Sequence, residues 1–285
     1  MYKRQVLHLV DCSLLSPPQT GADGRARYVM LETLRSYGAG LLAAAGEQDR
    51  AAAALAGWAL GVAEQAAAGL VTRTGEQDAA RWLDAEDATM RQVLARAMGH
   101  DREVALRLAA ALASWWVLRG RLSGLYPLLG ELAGYAEPGS DRWCIAQGWA
   151  GWAAWFSQDS AGALRHFTAV RDAVADRPPS RPLAIALTGR SAALLGLGQF
   201  PEVAEDARRA LAITREVGDP TGEVIALVAL ASAAAEAGDA GEAVLLARQA
   251  DQVPGDIAPF MARSCRMALT VTLMRVGDFA AAAPT

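Results

Sequence analysis

The chain is poor in the residues that most enzymes use. It has three histidines and three cysteines in 285 residues. His8, His100 and His166 lie far from one another and from any cysteine, so no set of about four converging ligands, as a metal site needs, is in view. Cys12, Cys144 and Cys265 are odd in number and widely spaced, which gives no disulfide framework and points to a reducing cytoplasm. No Gly-x-x-x-x-Gly-Lys-Ser/Thr occurs, so the phosphate-cradling loop of an ATPase is not in this chain. Ser13, Ser114 and Ser157 have no Gly-x-Ser-x-Gly context. No uninterrupted apolar run of about 18 residues suggests a membrane span. The apolar stretch after Met1 is too short for a secretory signal. Runs with strand period are scarce after residue 35. A basic excess is missing too: 27 basic against 31 acidic residues, interspersed, give no footprint for nucleic acid.

What is abundant is alanine, the best helix former, in a chain that is 53% hydrophobic. One phrase repeats through it. It is clearest as Gly198-Gln199-Phe200-Pro201-Glu202-Val203-Ala204 and returns at Gly238, Gly277, Gln158 and, loosely, Gly120. The starts at 120, 158, 198, 238 and 277 are 38, 40, 40 and 39 residues apart. A fixed period in this range marks stacked helical hairpins. The Gly-x-aromatic-x-Glu-Ala style is that of tetratricopeptide repeats, with helices about a turn longer than usual. HEAT and armadillo repeats have the longer period but not the phrase, and rank second. The fold expected is all-α: a right-handed superhelical solenoid of tetratricopeptide-like hairpins, with a small β-hairpin near the N-terminus.

Within a repeat, the glycine ends one helix with positive φ. A small residue five positions on (Ala163, Val203, Ala243 or Ala282) lets the next helix approach. Phe200 and Phe279 are expected to wedge between the paired helices. Arg177-Pro178-Pro179-Ser180-Arg181-Pro182 reads as a stiff loop, with Pro182 in the first turn of a helix. The last copy stops at Pro284-Thr285, half a hairpin in. The chain therefore reads as a fragment, with Gly277 to Thr285 poorly packed.

Nearer the N-terminus, residues 6–15 read as a helix end passing into a short strand. Arg27-Tyr28-Val29-Met30 is the returning strand after a Pro/Gly-rich turn, and Glu32 to Ala45 is a helix stopped by Gly46. Val104, Leu108, Ala111, Leu112, Trp115 and Leu118 form one helical face, as do Leu83, Met90 and Leu94. Asp84, Glu86 and Asp87 read as a solvated face, with Arg81 and Arg91 as partners, rather than as an acid/base cluster. His166 and the Arg208-Arg209, Arg215 cluster read as helix surface.

All eight tryptophans precede residue 156. Trp149, Trp152 and Phe156 share a stripe at i, i+3 and i+7, and Trp155 lies beside it. The stripe fits packing between hairpins. It also fits an aromatic-lined groove contacting a ligand or partner, so these four are the candidate site residues. No catalytic, cofactor-binding or metal residue is assigned.

The N-terminal phrases carry a family resemblance. Leu9-Val10-Asp11-Cys12-Ser13-Leu14-Leu15, then Arg27-Tyr28-Val29-Met30-Leu31-Glu32-Thr33-Leu34-Arg35-Ser36-Tyr37, resemble the end of the winged-helix segment in large actinobacterial signal-transduction ATPases of the LuxR-type and antibiotic-regulatory classes. Arg81-Trp82-Leu83 to Leu94, and Ala105 to Leu112 with Trp115-Trp116-Val117-Leu118-Arg119-Gly120, are similar to the helices that follow in that family. The sequence departs at Cys12, where lysine is usual, at Gly38, where alanine is usual, and at Thr89, where asparagine is usual. The resemblance implies a domain division: residues 1–45 a remnant of a winged-helix domain with its connecting helix, and 46–285 the repeats, truncated at the C-terminus. It also implies a non-catalytic sensor or interaction segment of a bacterial transcriptional regulator. Its partners would be its own upstream nucleotide-binding domain, where alone ATP would act, and an unknown inducer or protein. Direct nucleic-acid or membrane contact is not expected. The alternative is a general tetratricopeptide scaffold for protein–protein interaction.

Overall fold

A computed structural model describes residues 2–21 and 24–279. It opens with α1 (Tyr2–Asp11), the paired β1 (Gln19–Thr20) and β2 (Ala26–Arg27), and α2 (Glu32–Ala44). The strands run antiparallel, Gln19 opposite Arg27 and Thr20 opposite Ala26. The expected hairpin is there but shorter. Residues 12–15 form a turn and not a strand, and beyond Arg27 the pairing is carried by Ser16 and Val29 alone, whose backbone N–H and C=O meet at 2.8 Å. The hairpin docks on the helix behind it: Arg27 pairs with Glu86 at 3.0 Å, and the Arg25 guanidinium lies 3.7 Å over the Trp82 ring.

Then α3 (Gln48–Leu70) and α4 (Glu76–His100) pack on α5 (Arg102–Leu118). From α5 the hairpins follow: α6 (Leu122–Ala133), α7 (Asp141–Phe156), α8 (Ser160–Ala173), α9 (Arg181–Gly196), α10 (Phe200–Val217), α11 (Pro220–Glu236), α12 (Ala240–Asp251) and α13 (Pro259–Arg275). Each helix packs on its sequence neighbour, and α5, α7, α9, α11 and α13 also stack in order on one another. This is an all-α right-handed solenoid of tetratricopeptide-like hairpins.

The repeated phrase marks the end of each inner helix. Gly120, Gly198, Gly238 and Gly277 have φ of 67°, 72°, 84° and 80°, and Gln158, in the same frame, has φ of 66°. Glycine takes this left-handed conformation without strain, whereas an L side chain meets the following carbonyl. In two frames the next residue, an aspartate, caps the outer helix. Asp159 accepts from the Gly162 N–H at 2.8 Å, and Asp239 from the Glu242 N–H at 2.9 Å. The small residues Ala163, Val203 and Ala243 are fully buried, and Ala282 lies outside the described residues. The phenylalanines are not buried wedges: Phe200, the first residue of α10, is half-buried, and Phe279 is exposed. Of the segment expected to pack poorly, Gly277 and Phe279 are exposed, and residues 280–285 lie outside the described residues.

One layer is unusually tight. Phe167 of α8 is fully buried against α7 and α9. A Cβ at Gly189 would stand 2.3 Å from its ring, and one at Gly151 2.7 Å. Below this, Arg190 reaches from α9 to Asp206 of α10 at 2.8 Å and to Thr168 of α8, tying three helices with an ion pair only 12% exposed on each side.

Candidate functional site

The inner helices share one concave wall, and at its centre lies a pocket of about 250 Å³. Ser114 and Val117 of α5, Gly148, Trp149, Trp152 and Phe156 of α7, Ile185 of α9 and Ile225 of α11 form its wall. The stripe at i, i+3 and i+7 is what turns Trp149, Trp152 and Phe156 to one side of α7. All three are half-buried, which separates them from core residues such as Trp115, whose exposure is 0%. Trp155, the fourth candidate, does not line the pocket. It faces α9, where its indole N–H donates to the Ala192 carbonyl at 3.3 Å. The rings touch one another in tilted and edge-on pairs, Trp152 with Trp155, Phe156 and Phe167.

The pocket's remaining side comes from the far end of the chain. Phe260 and Met261, in the first turn of α13, and Ala258 before it, complete the lining beside Leu70, Val71 and Glu76 from the α3–α4 corner. Phe260 stacks near Phe156, with ring centroids 6.1 Å apart. Two hydrogen bonds hold the ends together. The Phe260 N–H donates to Glu76 Oε2 at 2.8 Å, and the Arg73 N–H donates to Asp256 Oδ1 at 2.5 Å. Glu76 is buried, at 8% exposure, and begins α4 while capping α13. Its charge thus faces the positive ends of two helix dipoles.

Thr188 and Asp219 of the pocket are already engaged. Thr188 donates its hydroxyl to the Ala184 and Ile185 carbonyls, and Asp219 accepts from the Gly222 N–H. Cys144, at the pocket edge, is buried, and that burial raises its thiol pKa. Burial pushes the Cys265 thiol up to about 11. Neither is poised as a thiolate nucleophile.

Asp84, Glu86 and Asp87 of α4 lie away from the pocket and are more fully paired than a solvated face. Asp84 accepts from Trp115 Nε1 at 2.9 Å and pairs with Arg119. Burial works against its charge, but the hydrogen bonds from Arg119 and Trp115 and the nearby Arg119 and Arg121 charges outweigh it, so its pKa is lowered. Asp87 binds Arg91, as spaced, and also Arg121, while Glu86 holds Arg27. Arg81 turns instead to Asp78. His166 is half-buried and not a surface residue: its Nδ1 lies 2.5 Å from Gln147 Oε1, and its ring meets Tyr126 edge-on. Among the described residues no group of three His, Cys, Asp or Glu is placed to hold a metal. Among them, too, no helix is long and apolar enough to cross a membrane.

Sequence reasoning reached the α7 aromatics but missed Glu76 and Phe260. Pro259 signals the helix start that places Phe260. Nothing local signals which carboxylate caps it.

The fold is shared with solved helical-repeat proteins. The chain is similar to BtubC (BKLC) from P. vanneervenii, at 14% identity and a TM-score of 0.54, over 70% of this chain and 86% of that one. It is also similar to a putative kinesin light chain from Podosopora anserina with nearly identical TPR-like repeats, at 16% identity and a TM-score of 0.50, over 60% of this chain and 86% of that one. No family model matches the sequence. No curated protein matches it either. The likeness is one of fold: a tetratricopeptide-like helical repeat, an architecture that presents extended surfaces for interaction.

Proposed function

We propose that this chain is a non-catalytic interaction module that binds through the inner face of its solenoid. The observation that carries this is the concave wall of α5, α7, α9 and α11, with Trp149, Trp152 and Phe156 half-buried at its centre. Half-buried aromatics on a concave surface are what a binding partner can still cover. The general form of the proposal is a scaffold. Its test is a pair of charge substitutions measured against any co-purifying partner: Ile225→Glu on the inner face abolishes binding, while Leu245→Glu on the exposed outer face of α12 leaves it unchanged. The reverse pattern rejects the inner face.

A more specific reading rests on the first 45 residues. A helix, a short antiparallel hairpin and a further helix follow in the order in which a winged helix ends. The helix after it, α2, buries no residue, and Leu31 before it and Tyr37 and Leu41 within it are exposed. This supports residues 1–45 as the end of a winged-helix domain with its connecting helix, and 46–285 as the repeat domain of a cytoplasmic bacterial transcriptional regulator. In that setting the repeats restrain an upstream nucleotide-binding domain, the part that uses ATP, until an inducer or partner shifts the population. The gene upstream of Met1 decides it. A nucleotide-binding loop encoded there supports the regulator, and its absence leaves the scaffold.

A further inference from the structure

We infer that the central pocket is a binding site for one small, ring-bearing apolar molecule that carries no negative charge, completed when the two ends of the solenoid are clasped. The inference rests on the reading of the inner face as the binding surface and names what that face takes.

Size is the first argument. At about 250 Å³ the pocket lies just below the usual size of ligand sites and suits a compact organic molecule. Chemistry is the second. Glu76, Asp219 and Thr188 already spend hydrogen bonds on Phe260, Gly222 and the α9 backbone. An anionic ligand would lose its hydration beside the Glu76 and Asp219 carboxylates, with no deep cation to replace it. The ring edges of Trp149, Trp152, Phe156 and Phe260 offer offset and edge-on contacts to another ring. Arg181 sits at the rim, exposed, where its charge stays in water.

The clasp adds a consequence. Phe260 lines the pocket where Glu76 caps α13, so a ligand that contacts Phe260 favours the closed ring, and closure favours the ligand by the same factor. Binding at the centre is thereby reported at the ends of the solenoid.

The test uses N-phenyl-1-naphthylamine, an uncharged dye that is dim in water, titrated into the whole chain with excitation of tryptophan. The expected result is saturable binding of one dye per chain, with energy transfer from the α7 indoles. Ser114→Phe, which fills the pocket from α5, weakens it at least about tenfold, and so does Glu76→Ala, which leaves the Phe260 N–H without its acceptor. The anionic analogue 1-anilinonaphthalene-8-sulfonate binds at least about tenfold more weakly than the uncharged dye. Absent saturable binding, binding indifferent to Ser114→Phe, or equal binding of the anion each overturn the proposal. Should Ser114→Phe not fold, xenon under pressure in crystals of the unaltered chain reads the same pocket. Density between Trp152 and Phe260 supports the site, and an empty pocket overturns it. A protein partner that Ile225→Glu still disrupts, in a chain that admits no dye, would leave the interaction module standing and end this inference alone.

Discussion

Glu76 and Phe260 are 184 positions apart, yet the carboxylate of one caps the helix begun by the other, at 2.8 Å. The first turn of a helix has backbone N–H groups with no partner inside the helix. Here α13 finds that partner in the first residue of α4. A solenoid built from nearest-neighbour contacts is thereby given a long-range one, and its concave face becomes a pocket.

Gly189→Ala is expected to destabilise the chain by about 2 kcal/mol, although glycine to alanine inside a helix ordinarily stabilises. The new methyl would stand 2.3 Å from the fully buried ring of Phe167. Urea unfolding measures the loss, and Phe167→Leu in the same chain should recover part of it.

Arg190→Leu should cost about 3 kcal/mol, because Asp206 is then left buried without its cation. Pairing it with Asp206→Leu should restore much of the loss. The four unfolding curves form a double-mutant cycle, and additive losses would show that the pair does not couple.

Gln158→Gly should stabilise by about 1 kcal/mol, since Gln158 alone among the repeat-frame positions holds φ of 66° with a side chain. The same change at an exposed helical position such as Gln249 should destabilise. Thermal unfolding of the two variants separates backbone relief from a general effect of glycine.

His166 gives a pH dependence. Burial lowers its pKa and the charge of Arg165 lowers it further, with Asp159 opposing. The folded chain therefore takes up the proton less readily than the unfolded chain. The stability linked to this group is fully present above the unfolded value of about 6.5 and declines as pH falls below it, until the folded group also protonates. Unfolding free energy followed from pH 8 to 5 should fall less steeply in His166→Gln than in the unaltered chain.

The architecture was legible because its signals are local. A left-handed glycine, a capping aspartate and a small buried residue recur in one frame, and Gln158 keeps that frame even where the glycine is lost. Phe200 and Phe279 are not the wedges expected: Phe200 opens α10 half-buried, and Phe279 is exposed. Arg81 was assigned to the wrong carboxylates, since helical spacing leaves several partners in reach and Asp78 lies on the same face. The α7 stripe was visible as a period. Whether it faced core or pocket depended on Phe260, a contact with no period at all.

The most direct measurement is hydrogen exchange at the Phe260 amide. This N–H has no acceptor within α13, so its protection reports the Glu76 contact alone. Slow exchange in the unaltered chain, accelerated at least about tenfold in Glu76→Ala while the middle of α13 is unaffected, is the predicted result. An amide that exchanges freely in the unaltered chain would contradict the closed ring, and with it the pocket.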